Sequence, residues 1–296
     1  MHCQFTPTAQ TSELKPALQQ LASQPPLART PWVSVAAEES FSLLLVEAPE
    51  VSSTELKAAV RWRVKDLLPF HIDDAVIDVF DIPGQQQRGR PKQMYVVAAR
   101  ISTVQQHIDL LEGSGIDLEV IDIPEMALRN VATLLPENAN GVAMLHLGAD
   151  SGFLTISRDG VLYLTRTIKL GYQQLCRHLE SASDHRDSND EFTIDEVEPL
   201  NPELARALDL IVLEVQRSLD YCESHFALPP ISGLVLAPMV EAVPPLMSYL
   251  ASNLGVPVRM LDLNAVLDSE QTLDDAMQSR CLLAIGAALR QENKAL

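Results

Sequence analysis

The sequence predicts a duplicated α/β fold, in which each half is a mixed β-sheet with helices on its faces. Short apolar runs rich in β-branched residues alternate with helical patterns along the chain. The second half, residues 138–296, follows the order βββαβαβα. The first half, residues 1–137, repeats this order around an extra helix and hairpin at about residues 49–100. These observations predict two domains, the first of which carries an inserted subdomain.

In the first half, strands are predicted over residues 2–5, 31–36, 41–47, 75–82, 93–100 and 118–123, and helices over 52–69, 102–111 and 124–135. Ser52 and Glu55 form a capping box at the start of the helix in the insert, and Pro69 ends it. Its apolar positions repeat every three to four residues: Leu56, Val60, Val64 and Leu67. Comparison with the second half places a hairpin ahead of Met1, so we expect the N-terminal hairpin of the fold to be missing.

In the second half, strands are predicted over residues 142–147, 153–157, 161–168, 231–236 and 257–261. Helices are predicted from Gly171 and over 202–225, 243–253 and 275–291. Asp159-Gly160 is a strong hairpin signal because both residues tolerate a positive φ. The acidic stretch 180–198 is expected to form a surface loop.

Composition excludes several classes of protein. The chain has 296 residues, 47% of them hydrophobic, which excludes a disordered protein. Its net charge of −18 argues against general nucleic-acid binding, since neutralising phosphates needs a basic face. No run approaches the roughly 20 apolar residues that span a bilayer, and no signal peptide is recognisable. With four dispersed cysteines (Cys3, Cys176, Cys222 and Cys281) read as reduced thiols, we expect a cytoplasmic protein that does not span a membrane.

A basic and aromatic cluster stands out against this acidic background. Four of the 22 basic residues lie in the predicted helix of the insert, around Trp62: Lys57, Arg61, Arg63 and Lys65. A charged outer face opposite the apolar stripe is one explanation. A contact surface is the other, because Trp and Arg are favoured as interface anchors. The candidate partner-binding residues are Arg61, Trp62, Arg63, Lys65 and Phe70, although Phe70 could instead belong to the core at the helix-to-strand corner.

These residues carry a resemblance to a known family. Residues 61–70 (RWRVKDLLPF) and 120–130 (VIDIPEMALRN) resemble the MshI family, the PilM-like components of mannose-sensitive haemagglutinin (MSHA) type IV pilus assembly. Residues 75–80 (AVIDVF), 95–100 (YVVAAR) and 162–166 (LYLTR) support the match. The resemblance covers nearly the whole chain.

The resemblance implies an actin-like, ribonuclease H-like ATPase fold with the inserted subdomain of FtsA and PilM, similar to the cytoplasmic part of GspL in type II secretion. It implies a cytoplasmic adaptor, peripheral at the inner membrane, that binds the N-terminal tail of a PilN-like protein and links it to the pilus assembly ATPase. The cleft between the inserted subdomain and the rest of the first domain would take an extended peptide, by strand addition or by pocket capture.

Actin-like folds hold nucleotide through elements that are altered or missing here. The first phosphate loop would lie ahead of Met1. The second matches residues 147–152, where His146 replaces the usual carboxylate that helps to place Mg²⁺. The adenine-side Gly-Gly corresponds to residues 237–239, Ala-Pro-Met. Gly148, Asp150, Ser151 and Gly152 are therefore candidates for a vestigial nucleotide site or for an ordinary turn, and we expect no ATP hydrolysis and no bound cofactor.

The sequence gives less support for other catalytic or metal-binding sites. No phosphate-loop, dinucleotide-binding or zinc-protease motif is present. His178 and His185 flank the acidic stretch beside Asp184 and Asp187, but their spacing matches no standard metal site, so we expect no metal. Ser151 lacks a recognisable base. An actin-like ATPase whose domains close on nucleotide is the main alternative, and a sugar-kinase-type phosphotransferase is a third.

Overall fold

A computed structural model describes residues 3–8, 10–24, 30–85, 91–183, 200–269 and 271–291. The chain divides into two compact units. The N-terminal unit comprises Phe5–Asn130 and the residues from Leu283 onward, and the C-terminal unit comprises Val131–Leu282 with Cys3 and Gln4. The sequence predicts a single boundary after residue 137. The units instead divide after Asn130, and the chain returns to the N-terminal unit within its last helix.

The N-terminal unit contains four helices and five strands among its described residues. The helices are α1 (Thr11–Ala22), α2 (Ser53–Val64), α3 (Ile101–Glu112) and α4 (Pro124–Ala132). The strands are β1 (Trp32–Val35), β2 (Phe41–Glu47), β3 (Ala75–Asp81), β4 (Gln93–Arg100) and β5 (Leu118–Asp122). All predicted elements of this unit are found except the strand at residues 2–5, since Cys3–Thr8 has no regular structure.

Helix α1 is an element that the sequence reading missed. Its apolar residues Leu14, Leu18 and Leu21 do follow a helical spacing, but Pro16 lies inside the helix, where proline removes a backbone donor. Leu18 and Ala22 pack against Leu111 of α3 and its neighbours. Burial of this face compensates for the proline.

The inserted subdomain is a three-stranded antiparallel sheet covered by α2. The strand order is β2-β4-β3, and β2 pairs with β4 along its whole length, from Phe41↔Ala99 to Glu47↔Gln93. The subdomain therefore begins at β2, earlier than the predicted residue 49, because β2 belongs to this sheet. Valines of α2 and side chains from all three strands form its core: Val46, Val60, Val64, Val79, Met94 and Val96. The remaining sheet of this unit is a parallel pair, β1 and β5.

The C-terminal unit is built on a five-stranded sheet of order β10-β9-β6-β7-β8. Its strands are β6 (Val142–Leu147), β7 (Gly152–Arg158), β8 (Val161–Ile168), β9 (Leu234–Leu236) and β10 (Val258–Met260). Its helices are α5 (Tyr172–Ser183), α6 (Pro202–Phe226), α7 (Pro244–Leu254), α8 (Leu263–Val266) and α9 (Asp275–Ala288). The strands β6, β7 and β8 form an antiparallel meander, and β9 and β10 run parallel to β6.

Sequence signals locate the turns of this unit well. Asp159 and Gly160 have φ values of 49° and 72°, so the predicted hairpin turn between β7 and β8 is confirmed. Asn201 caps α6 by accepting a hydrogen bond from the Glu203 amide at 2.9 Å. The predicted acidic loop begins inside α5, whose last residue is Ser183. Residues 184–198 of that prediction lie outside the described residues.

Candidate functional site

Helix α2 is positioned by its buried side and by its N-terminus. Val60 and Val64 are fully buried against the subdomain sheet. Ser52 is the N-cap residue as predicted, but its hydroxyl donates to the Glu55 carboxylate at 2.7 Å and caps no backbone amide. The predicted capping box is therefore only partly formed.

The helix ends earlier than predicted. Val64 is its last residue, and the Leu67 amide donates to the Val64 carbonyl at 2.9 Å in the turn that follows. This turn takes Leu67 out of the apolar stripe, and its side chain is 58% exposed. Leu68 packs against the core in its place. The prediction that Leu67 continues the buried face is wrong, because the backbone leaves the helix before Pro69.

Three of the four basic side chains on this helix are used inside the subdomain. Arg61 donates to the carbonyls of Ile72 at 2.7 Å and Ala75 at 3.2 Å. Lys57 pairs with Asp78 of β3 at 3.2 Å, and Arg63 pairs with Glu47 of β2 at 3.3 Å. Since β2 and β3 are the two edge strands, these cations tie α2 to both sides of the sheet. Arg61 and Arg63 thus form contacts within the subdomain that do not require a partner.

Trp62 is different, because its side chain is 74% exposed. The Lys65 Nζ lies 5.2 Å from the centroid of the Trp62 ring, within the range of a cation–π contact. Leu67, in the turn two residues after Lys65, is exposed too, and we call these three exposed residues, Trp62, Lys65 and Leu67, the outer ridge. A large exposed tryptophan with a cation against its ring is typical of an interface anchor. Sequence reasoning missed Leu67, whose spacing on α2 favoured the core.

Phe70 lies half-buried at the corner that follows the ridge. The Arg100 guanidinium stacks 4.6 Å from the centroid of its ring, and Arg100 also donates to the Pro69 carbonyl at 3.4 Å. These contacts fix the Pro69–Phe70 corner against the end of β4. Phe70 was predicted either as a partner contact or as core at the corner; it is half-buried with Arg100 over its ring, and its contact with a partner stays a prediction.

The face of the subdomain sheet opposite α2 is also apolar. Leu43, Leu45 and Val97 alternate with the residues that face the helix, and each is half-buried. Phe80 stacks on the buried Tyr95 ring, with 5.0 Å between centroids. Among the described residues, strand β2 pairs only with β4, so its other edge lies at the border of the sheet. The β2 edge, like the β3 edge, is therefore a place where a strand could be added to this sheet.

The residues matched to the second phosphate loop form the turn between β6 and β7. The amides of Tyr172 and Gln173, at the start of α5, donate to the carbonyls of Gly148 at 2.9 Å and Ala149 at 3.2 Å. A Cβ on Gly171 would overlap the backbone of Ala149 and Asp150. Phosphate binding needs free N–H groups at such a place. Here the carbonyls of the turn face the start of α5. They accept hydrogen bonds from two of the first amides of that helix, which are therefore not free to bind phosphate.

His146 lies beside this turn on β6. Its ring is tilted against Phe153, with 5.1 Å between centroids, and its Nδ1 is buried without a hydrogen-bond partner. Burial lowers the pKa of His146 to about 4, so the imidazole is neutral at physiological pH. A neutral imidazole does not reproduce the carboxylate that helps to position Mg²⁺ in actin-like ATPases.

The segment that corresponds to the adenine-side Gly-Gly, residues 237–239, is part of the core. Ala237 donates its amide to the Leu145 carbonyl at 2.8 Å, and Met239 packs in the main core of the unit with 8% of its surface exposed. No cluster of three metal-ligating side chains occurs in the described ranges. His178 lies 3.1 Å from the Glu203 carboxylate, whereas Asp184, His185 and Asp187 fall in a part that the structure does not describe.

The chain matches a family of type IV pilus assembly proteins. The family model of the type IV pilus assembly protein PilM matches residues 7–292. No curated protein sequence matches the chain at a significant level. No helix in the described ranges has the length and apolar character needed to cross a membrane.

One solved structure shares the fold of this chain, and two others are more distantly similar. A PilM–PilN type IV pilus biogenesis complex is 22% identical, with a TM-score of 0.69, 95% of this chain covered and 85% of that chain covered. The cytoplasmic domain of EpsL from the type II secretion system of Vibrio cholerae is 13% identical, with a TM-score of 0.44 and coverages of 94% and 82%. A Bacteroides thetaiotaomicron protein with an actin-like ATPase fold is 9% identical, with a TM-score of 0.45 and coverages of 95% and 85%. The predicted actin-like fold class is confirmed.

Proposed function

The chain belongs to the PilM family of type IV pilus assembly proteins, and we propose that it is the cytoplasmic adaptor of an MSHA-type pilus, corresponding to MshI. In this role it binds the cytoplasmic tail of a PilN-like inner-membrane protein and links it to the pilus assembly ATPase. The complex of PilM with PilN, which shares the fold, supports the choice of partner.

The outer ridge of α2 carries this proposal. Trp62 is 74% exposed and Leu67 is 58% exposed, and of the exposed large apolar side chains in the described ranges Trp62 is the most accessible. Arg61 and Arg63 are already bonded within the subdomain, so the tail would contact Trp62, Lys65 and Leu67. A segment with apolar residues and a carboxylate fits this ridge, since it would cover the ring and pair with Lys65.

The apolar sheet face and the β2 edge offer a second place on the same subdomain. An extended tail could pair with β2 and place alternate side chains against Leu43 and Leu45. The two places lie on opposite sides of the sheet, so single substitutions can separate them. The adaptor function is common to both.

We propose further that the protein does not hydrolyse ATP. The turn at Gly148–Gly152 is bonded to the start of α5, and His146 stands where a carboxylate is expected. Measurement of phosphate release in the presence of ATP and Mg²⁺ tests this. Saturable nucleotide binding with turnover would support the closing ATPase instead.

The test of the adaptor function is a titration with a synthetic peptide of the partner's N-terminal tail, followed by calorimetry. Trp62→Ala should weaken binding about tenfold or more, the usual effect of removing an anchoring tryptophan. Arg63→Gln is the matched control, one position away on the same helix, and should bind like wild type. Thermal unfolding verifies that each variant is folded.

The outcomes discriminate between the places and test the function itself. Loss of binding in Leu45→Glu, with Trp62→Ala unaffected, would move the tail to the sheet face. Absence of saturable binding to wild type would overturn the adaptor function with this partner.

A further inference from the structure

Two cysteines from opposite ends of the sequence lie next to each other in the C-terminal unit. The thiols of Cys3 and Cys281 are hydrogen-bonded to each other. Both residues belong to this unit, Cys3 in the segment without regular structure and Cys281 in α9. Since both are free thiols, the contact is that of a reduced pair. It joins two segments that the chain order alone would not bring together.

The backbone of Cys3 is held in place by Gln271. The Cys3 amide donates to the side-chain carbonyl of Gln271 at 2.9 Å, and the side-chain amide of Gln271 donates to the Cys3 carbonyl at 3.3 Å. A segment that forms no helix or strand lacks the regular hydrogen bonds that would otherwise fix its position. Gln271 therefore keeps the thiol of Cys3 beside the thiol of Cys281.

The two thiols differ in accessibility. Cys281 is 6% exposed, whereas Cys3 is only partly buried. Burial raises the pKa of the Cys281 thiol to about 11, so this thiol is protonated at neutral pH. A dissolved oxidant therefore reaches Cys3 first, and Cys281 stands behind it as the second thiol. The remaining cysteines are placed differently, because Cys222 is completely buried and Cys176 is hydrogen-bonded to Glu241.

We propose that Cys3 and Cys281 form a reversible disulfide when the protein meets hydrogen peroxide, and that this bond fastens the segment Cys3–Thr8 to α9. The sulfur of Cys3 attacks the peroxide and breaks its O–O bond, which gives a sulfenic acid on Cys3 and one water. The sulfur of Cys281 then attacks the sulfenic sulfur, forms the S–S bond and releases the second water. The two thiols lose two hydrogen atoms, and the peroxide is reduced to two waters.

The reverse reaction needs two equivalents of a small thiol such as glutathione, which are oxidised to their own disulfide as the protein pair is reduced. In a reducing compartment the bond would therefore exist only during oxidative stress, as is usual for disulfides of cytosolic proteins.

Peroxide treatment of the full-length protein tests the proposal. We expect an intact mass lower by two hydrogen atoms, a Cys3–Cys281 crosslinked peptide after digestion without reductant, and recovery of both thiols with dithiothreitol. Amide exchange in residues 4–8 should slow at least about threefold in the oxidised protein. In Cys281→Ala the reaction should stop at the sulfenic acid, so that dimedone captures Cys3 at least about tenfold more than in wild type.

Three further variants complete the test. Cys176→Ala is the matched control, since Cys176 is the other partly buried cysteine, and it should crosslink like wild type. Cys3→Ala, a change outside the core, should lose the crosslink. Gln271→Ala should lower the yield of the crosslink at least about threefold, because Cys3 is no longer held beside Cys281. Thermal unfolding under reducing conditions verifies that each variant is folded.

Several results would overturn the proposal. One is equal capture of Cys3 by dimedone in wild type and Cys281→Ala, which would show that no second thiol resolves the sulfenic acid. Another is a crosslink to Cys176 or between two copies of the chain. The last is a crosslinked protein in which amide exchange of residues 4–8 is unchanged, since the bond would then not fasten the segment.

Discussion

The turn at Gly148–Gly152 and the outer ridge at the end of α2 are both candidate sites. The turn is bonded to a neighbouring helix, whereas the ridge is exposed to solvent. Around the turn, backbone carbonyls bond the first amides of α5, and a glycine permits close contact of two backbone segments. On α2, the flanking cations are bonded inward while Trp62 remains 74% exposed. A turn whose backbone groups are already hydrogen-bonded has few groups left to bind a ligand. An exposed tryptophan, by contrast, can still be buried by a partner.

Gly171→Ala should have the largest effect, because it tests how tightly the turn is closed. The new Cβ would overlap the backbone of Ala149 and Asp150, which cannot move away as a flexible side chain can. We expect the free energy of unfolding to fall by more than about 3 kcal/mol, measured by urea denaturation. Gly160→Asn, at a positive φ that asparagine tolerates, is the control and should cost less than about 1 kcal/mol. A mild effect of Gly171→Ala would mean that the turn can open.

The half-buried imidazole of His146, next to this turn, should make the stability of the fold depend on pH. Burial lowers the pKa of His146 to about 4 from a usual value of 6.5. The unfolded chain therefore binds a proton between these pH values that the folded chain does not, so stability falls as the pH decreases below 6.5.

His146→Leu should remove this dependence. Between pH 7.5 and pH 5, the loss of unfolding free energy should be about 2 kcal/mol smaller in the variant than in wild type. Chemical denaturation at the two pH values measures the difference. Equal losses in the two proteins would show that the imidazole takes up a proton in the folded state.

Arg61→Gln measures how much the Arg61 side chain contributes to the stability of the subdomain. The change removes hydrogen bonds to the carbonyls of Ile72 and Ala75, and we expect a loss of about 1–2 kcal/mol in unfolding free energy. Binding of the partner tail by the folded variant should stay close to wild type. A selective loss of binding without a loss of stability would place Arg61 at the interface and shift the division of roles on this helix.

The sequence predicted more of the fold than of the site. Strand alternation gave β2, β4, β6 and β8 with their bounds, since periodicity and turn residues act locally. The start of the subdomain at Phe41 depended on which strand pairs with β4, and pairing over this distance has no local signal. The basic cluster was found from composition. Which of its side chains are bonded and which are exposed depends on the positions of Ile72, Asp78 and Glu47. Those positions are set by the tertiary fold, so the local sequence does not predict them.

Arg63→Gln should have the smallest effect, and it tests whether a cation on α2 matters merely because it is charged. Arg63 and Glu47 are 3.3 Å apart, with about half of each side chain exposed. Exposed ion pairs contribute little because water screens them and ordering the side chains costs entropy. We expect a change in unfolding free energy below about 0.5 kcal/mol and unaltered binding of the partner tail. If Arg63→Gln weakens binding as much as Trp62→Ala, the contact extends to the β2 side of the helix, and the outer ridge is only part of it.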